Sequence, residues 1–80
     1  MHTSPIKIDP IGVEARIDDD ALHVRLSDGR ELTVPLAWFP RLAEADRATR
    51  EHWRWVGGGV GMHWPDLDED LSIRGLLAGQ

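Results

Sequence analysis

From Gly12 to Leu36 apolar and polar residues alternate with a period of two, and this constrains the fold more than any other feature of the chain. Val13, Ala15 and Ile17 alternate with Glu14, Arg16 and Asp18; Leu22, Val24 and Leu26 alternate with His23, Arg25 and Ser27; Leu32, Val34 and Leu36 alternate with Thr33 and Pro35. Alternation of this kind marks half-buried antiparallel strands, with one face on a core and one in water. The parity of the register then dictates the turns. The inward residues of the second and third segments are all even-numbered, so they face each other only if paired positions sum to an even number. A two-residue turn at Asp28-Gly29 would set Leu26 against Glu31 and break the faces. A three-residue loop, Ser27-Asp28-Gly29, sets Val24 against Leu32 and Leu22 against Val34, with Gly29 in the left-handed region as a G1 bulge. In the first hairpin, a loop from Asp18 to Ala21 sets Ile17 against Leu22 and Ala15 against Val24. Pro35 has no N–H to donate, so the third strand ends there or lies on an edge.

After Pro35 the period changes. Leu36-Ala37-Trp38-Phe39-Pro40-Arg41-Leu42 reads as a short helix with Pro40 in its first turn. Ala43 to His52 is helix-compatible, and Asp46 is placed to cap a second turn or two within it. Trp53-Arg54-Trp55-Val56 suits a fourth strand or an extension of the helix; as a strand it puts Trp53 and Trp55 on one face and Arg54 on the other. Gly57-Gly58-Gly59-Val60-Gly61 is a loop. Asp66 and Glu69 stand at the N-cap and N3 spacing of a capping box, directly after Pro65. The final helix is therefore expected to start there, to carry Leu71, Ile73, Leu76 and Leu77 on its apolar side, and to close on Gly79 at C′. Residues 1–10, punctuated by Pro5 and Pro10, read as an extended arm with Ile6 and Ile8 against the body. The expectation is a single α+β domain over residues 1–80, a three- to four-stranded antiparallel meander packed against short helices with a capped C-terminal helix.

Eighty residues bury only roughly 60% of their unfolded surface, so the core is small. There is no cysteine to staple it, and four tryptophans are the natural substitute because each ring removes a large apolar area from water. The first residues have neither a basic n-region nor an apolar h-region, and no apolar run approaches the ~20 residues that span a bilayer. A cytoplasmic protein without a membrane partner is expected. The net charge of −5 disfavours direct contact with nucleic acid, where affinity comes from neutralising phosphates. It suits a protein partner with a basic surface.

The candidate chemistries fail on specific residues. Asp66-x-Asp68-x-Asp70 resembles the start of a calcium loop, but Leu71 and Leu77 stand where that loop needs Gly and Glu. The glycine run lacks the Lys-Ser or Lys-Thr of a phosphate loop; Met62-His63 follow instead. His63 beside the acidic string offers an acid/base pair, but the favoured reading is a structural imidazole bonded to a backbone carbonyl or to Asp66. No cysteine exists as a nucleophile, and His2, His23 and His52 have no ligand spacing. No catalytic residue, metal site or cofactor is expected. The aromatic residues Trp38, Phe39, Trp53, Trp55 and Trp64 read mainly as core, with one or two left at the surface as anchors.

Two blocks carry a resemblance. Asp28-Gly29-Arg30 runs on into Trp38-Phe39-Pro40-Arg41-Leu42, and His63-Trp64-Pro65-Asp66-Leu67-Asp68-Glu69-Asp70-Leu71-Ser72 follows in order. Over residues 11–79 the chain resembles bacterial domain-of-unknown-function family twenty-four forty-two. The resemblance implies a β-meander followed by short helices, and no established enzymatic role. It also implies surroundings of three kinds: fusion to a helix-turn-helix domain, a neighbouring gene for a small toxin-like protein, or carriage by phages and mobile elements.

The function expected from these readings is a non-catalytic, antitoxin-like module that occludes a basic, nucleic-acid-handling partner protein. Two alternatives stand beside it. One is a phage or mobile-element inhibitor of a host defence complex, of anti-CRISPR type; the other is a structural domain that dimerises through a free strand edge. The expected contact residues are Asp18, Asp19, Asp20, Asp66, Asp68, Glu69 and Asp70, with Arg41, Arg54 and Trp55 as anchors.

Overall fold

The computed structural model describes residues 9–79. Of the expected N-terminal arm, Ile6 and Ile8 lie outside the described residues. Strands β1 (Gly12–Ile17), β2 (Ala21–Leu26) and β3 (Glu31–Pro35) form one antiparallel sheet in the order β1-β2-β3. Its register is the one parity demands: Ile17 faces Leu22, Ala15 faces Val24, Val24 faces Leu32 and Leu22 faces Val34. Gly29 has φ of 92° and its N–H bonds the Leu26 carbonyl at 3.0 Å, which closes the three-residue loop. Pro35 ends an edge strand, where its missing donor leaves no gap in the ladder. One residue departs from the alternation. The register of β1 shifts between Gly12 and Glu14, so Val13 is the extra residue of a bulge and is turned out to 44% exposure.

After β3 the chain takes a 3-10 turn over Leu36–Trp38, then helices α1 (Pro40–Glu44) and α2 (Arg47–Glu51). Pro40 occupies the first turn of α1, where its absent N–H costs nothing. Asp46 caps α2 by accepting the Thr49 N–H at 2.8 Å.

The remaining chain forms a second antiparallel sheet of β4 (Arg54–Val56), β5 (Gly61–Trp64) and β6 (Glu69–Ser72), followed by α3 (Ile73–Leu77). Of Trp53-Arg54-Trp55-Val56, the last three residues are strand and Trp53 stands just ahead of it. The expected capping box is not formed. Pro65 to Asp68 make a hairpin turn, Trp64 pairs with Glu69 across it, and the final helix starts seven positions beyond the expected cap, with Ser72 accepting the Gly75 N–H at 2.9 Å. The spacing of Asp66 and Glu69 was compatible with both structures, and pairing decides between them. As strands, Met62-x-Trp64 and Leu71 turn three apolar side chains to the core together, with Ile73 following at the start of α3, whereas a helix from Leu67 would carry Glu69 and Asp70 round with them. Asp68 absorbs the turn at φ of 51°, a left-handed conformation that Asp visits more readily than most L-residues. The expected end of α3 does form: Gly79 has φ of 86° and donates to the Leu76 carbonyl at 3.2 Å.

One core joins the two sheets. Leu22, Val24, Leu26 and Val34 come from the first, Met62, Trp64 and Leu71 from the second, and Leu36, Phe39, Leu42, Ile73 and Leu76 close it. The sheets are joined by a backbone bond from Gly12 N–H to the Gly59 carbonyl (2.8 Å), while the Ile73 N–H to Val60 carbonyl bond (2.9 Å) prolongs the β5–β6 ladder. Gly59, at φ of 112°, comes so close to β1 that a Cβ there would stand 2.6 Å from the Gly12 carbonyl oxygen. The glycine run is therefore a clasp between sheets, and its backbone is consumed by structure.

Candidate functional site

The two acidic stretches are 45 residues and more apart in sequence, and α2 with its C-cap residue contacts both. The β1–β2 turn presents Asp18, Asp19 and Asp20, all exposed. Asp18 shapes this turn: its Oδ1 accepts the N–H groups of Asp20 and Ala21 at 2.8 Å each, and its Oδ2 lies 2.8 Å from His23 Nε2. The Asp20 N–H, then the His23 ring and the Ala21 N–H, hold the Asp18 carboxyl at a pKa of about 2. The Asp20 carbonyl in turn accepts the Leu36 N–H at 3.0 Å, which docks the turn onto the start of the helical segment.

Arg50 of α2 fixes the next link. Its Nη1 lies 3.2 Å from Asp19 Oδ1, while Nε and Nη2 donate to the Leu42 and Ala43 carbonyls at the end of α1, at 3.1 and 3.3 Å. The Arg50 carbonyl accepts the indole N–H of the buried Trp64 at 2.9 Å. Two residues on, His52 Nδ1 lies 3.0 Å from Asp66 Oδ2 in the β5–β6 turn. Helix α2 thus holds one acidic turn by Arg50, and its C-cap residue His52 holds the other. Arg50 carries no local signal and reads as one more surface base in a helix; its role depends on where the turn of β1–β2 and the end of α1 fall in space.

The other expected contact residues divide into free and committed groups. Asp70 stands opposite His63 across β5–β6, with His63 Nδ1 2.7 Å from its Oδ1. His63 therefore pairs with Asp70, not Asp66. Glu69 lies 3.7 Å from Arg41 Nη1. Asp20 and Asp68 have exposed side chains with no hydrogen bond or ion pair among the described residues. Arg54 is exposed on the outer face of the second sheet, in a cross-strand row with His63 and Asp70. Trp55 is half-buried, and its ring lies over Gly12, where a Cβ would meet it at 2.4 Å. Trp53 packs edge-on against it with centroids 4.9 Å apart. The aromatic residue left at the surface is Trp38, at 50% exposure.

Chemically, each described histidine is paired with an aspartate, on three separate parts of the fold. His23 continues to Thr33 Oγ1 at 3.4 Å, a longer separation than the 2.6–3.2 Å of a base poised on a nucleophile. With both nitrogens engaged, the ring is held as a strut between β2, β3 and the acidic turn. Among the described residues, no three His, Asp or Glu side chains gather around a point that could hold a metal, and no helix is long and apolar enough to cross a membrane. An open groove of ≈ 510 Å³ lies over the first sheet, lined by Glu14, Arg16, His23, Arg25, Glu31, Trp53 and Trp55 among others. Its charges are matched internally, Arg25 lying 2.6 Å from Glu14, so it presents no single sign to steer a ligand.

The family described as "Protein of unknown function (DUF2442)" matches residues 13–80. The chain belongs to that family. A protein of unknown function from Rhodospirillum rubrum ATCC 11170, known from a crystal structure at 2.75 Å resolution, is similar to it throughout. The two share 32% identity and a TM-score of 0.78, over 90% of this chain and 89% of that one. No curated protein matches. The family blocks map onto the structural features above: Trp38 to Leu42 forms the turn into α1, and His63 to Ser72 forms the second hairpin and the cap of α3.

Proposed function

We propose that this chain is a non-catalytic protein-binding module, antitoxin-like, whose acidic end covers a basic, nucleic-acid-handling surface on a partner protein. The observation that carries the reading is the convergence of the Asp18–Asp20 turn and the Pro65–Asp68 turn on α2, through Arg50–Asp19 and His52–Asp66. Held carboxylates keep their geometry at little entropic cost, and Asp20 and Asp68 remain to meet a partner's guanidinium or ammonium groups. Complementary charge of this kind speeds encounter and fixes orientation. The partner fitting this surface is a toxin or a similar enzyme whose own substrate is a polyanion, so that occlusion and inhibition are one event.

Co-expression tests this reading. The product of the adjacent gene is expressed alone, with this chain, and with a chain carrying Asp20→Asn and Asp68→Asn. Growth arrest relieved by the native chain and not by the variant supports it. Arrest relieved equally by both, or by neither, sinks it.

A further inference from the structure

We infer that Trp38 is the contact that receives an arginine of the basic partner, its indole face taking the guanidinium beside the Asp18–Asp20 turn. This rests on the acidic-end reading and adds to it a residue class on the other side.

Trp38 cannot turn inward. Leu36, Phe39 and Leu42 are 2%, 9% and 0% exposed, and this spacing of three uses every core-facing position of the segment. Ala37, Trp38, Pro40 and Arg41 are left outside. The backbone that carries the ring is fixed nonetheless, because Phe39 N–H bonds the Leu36 carbonyl at 2.8 Å and Pro40 follows in the first turn of α1. Its three fellow tryptophans are engaged: Trp64 donates its indole N–H to Arg50, and Trp53 packs against both Trp55 and Trp64. Among the described residues Trp38 has no aromatic partner and no hydrogen bond from its ring. A half-exposed indole on a rigid turn offers large contact area with little conformational freedom to lose, which is why tryptophan dominates the centres of protein interfaces.

Charge selects the occupant. Leu36, two residues before Trp38, donates to the Asp20 carbonyl at 3.0 Å, so the 3-10 turn that carries the ring is docked on an acidic turn. The nearby Arg41 has its own carboxylate, Glu69, at 3.7 Å. A second copy of this chain would bring a net −5 against the same end. An arginine meets both demands, stacking its planar guanidinium on the indole while its N–H groups reach carboxylate oxygens. Lysine satisfies the charge and loses the stacking.

The test uses labelled hexa-arginine and hexalysine peptides, titrated at low salt into the native chain, Trp38→Ala, Trp38→Leu and the Asp20→Asn/Asp68→Asn double variant, with circular dichroism to confirm folding. The expected result is a native preference for hexa-arginine that both Trp38 variants abolish, through a loss of about two- to fivefold on hexa-arginine alone. A preference that survives in both Trp38 variants overturns the inference. If the aspartate variant weakens both peptides while the Trp38 variants change neither, the acidic end stands and Trp38 falls. If the native chain binds neither peptide, both readings fall. Self-association that disappears with Trp38→Ala assigns the ring to a second copy and likewise overturns the inference.

Discussion

Arg50 Nη1 lies 3.2 Å from Asp19 Oδ1, and the same guanidinium bonds the Leu42 and Ala43 carbonyls. The side chain is only 14% exposed, against 79% for Asp19, so the two ends of this contact are unequal. Arg50 supplies donors to backbone carbonyls at the end of α1; Asp19 supplies a solvated charge. Arg50→Ala is expected to destabilise the fold by about 1–3 kcal/mol, because it strands those carbonyls and empties a partly buried site. Asp19→Ala is expected to cost about 0.2–1 kcal/mol, the range of an exposed ion pair. Urea denaturation of the two variants checks the ordering, and equal losses would contradict it.

Gly59→Ala meets two obstacles together, a Cβ 2.6 Å from the Gly12 carbonyl oxygen and a φ of 112°. Gly58→Ala meets only the second, with φ of 69° and nothing within 4 Å. The left-handed conformation alone costs an alanine about 1–2 kcal/mol. The extra clash at Gly59 is expected to add about 1–3 kcal/mol and to loosen the bond that joins the sheets. Thermal denaturation should place Gly59→Ala well below Gly58→Ala. The reverse order would mean that the glycine clasp does not hold β1.

The carboxyl of Asp18 titrates at about 2, below its ordinary 3.8, so the folded state favours its charged form. Its contribution to stability is therefore fully present above pH 3.8 and is lost as pH falls through 2. Asp18→Asn keeps an oxygen for the Asp20 and Ala21 N–H groups and removes the charge. The variant is expected to be less stable than the native chain at neutral pH, with the difference closing between about pH 4 and pH 2. Acid unfolding curves of the two proteins check this, and a gap that persisted at pH 2 would assign the loss to geometry.

Much of the first sheet was legible because parity is an arithmetic constraint: Leu22, Val24 and Leu32 cannot share a face in any register whose paired positions sum to an odd number. The bulge at Val13 was not, since an extra residue at the start of a strand leaves the alternation intact on either side. The second hairpin was misread because Asp66 and Glu69 satisfy a helix cap and a tight turn equally well. The decisive signal, Trp55, Met62 and Leu71 aligned across three strands, is a relation between segments and not a local pattern. The acidic residues of the candidate site were visible as runs of charge. Their partners were not: Arg50 for Asp19, His52 for Asp66 and His63 for Asp70 are separated from them by 31, 14 and 7 positions. Trp38 was visible as an aromatic residue, and only the use of Leu36, Phe39 and Leu42 by the core shows that it must face out.

The central claim is that one end of the molecule, and not its overall charge, binds a basic partner. Binding of labelled hexa-arginine by two double variants of equal net charge tests this most directly. Asp20→Asn with Asp68→Asn neutralises the acidic end, and asparagine tolerates the left-handed conformation at position 68. Glu14→Gln with Glu31→Gln removes the same charge from the open face of the first sheet. The account predicts that the first variant loses most of the affinity and flattens its salt dependence while the second binds nearly as the native chain does. Equal losses in the two would show that net charge alone is at work, and would contradict it.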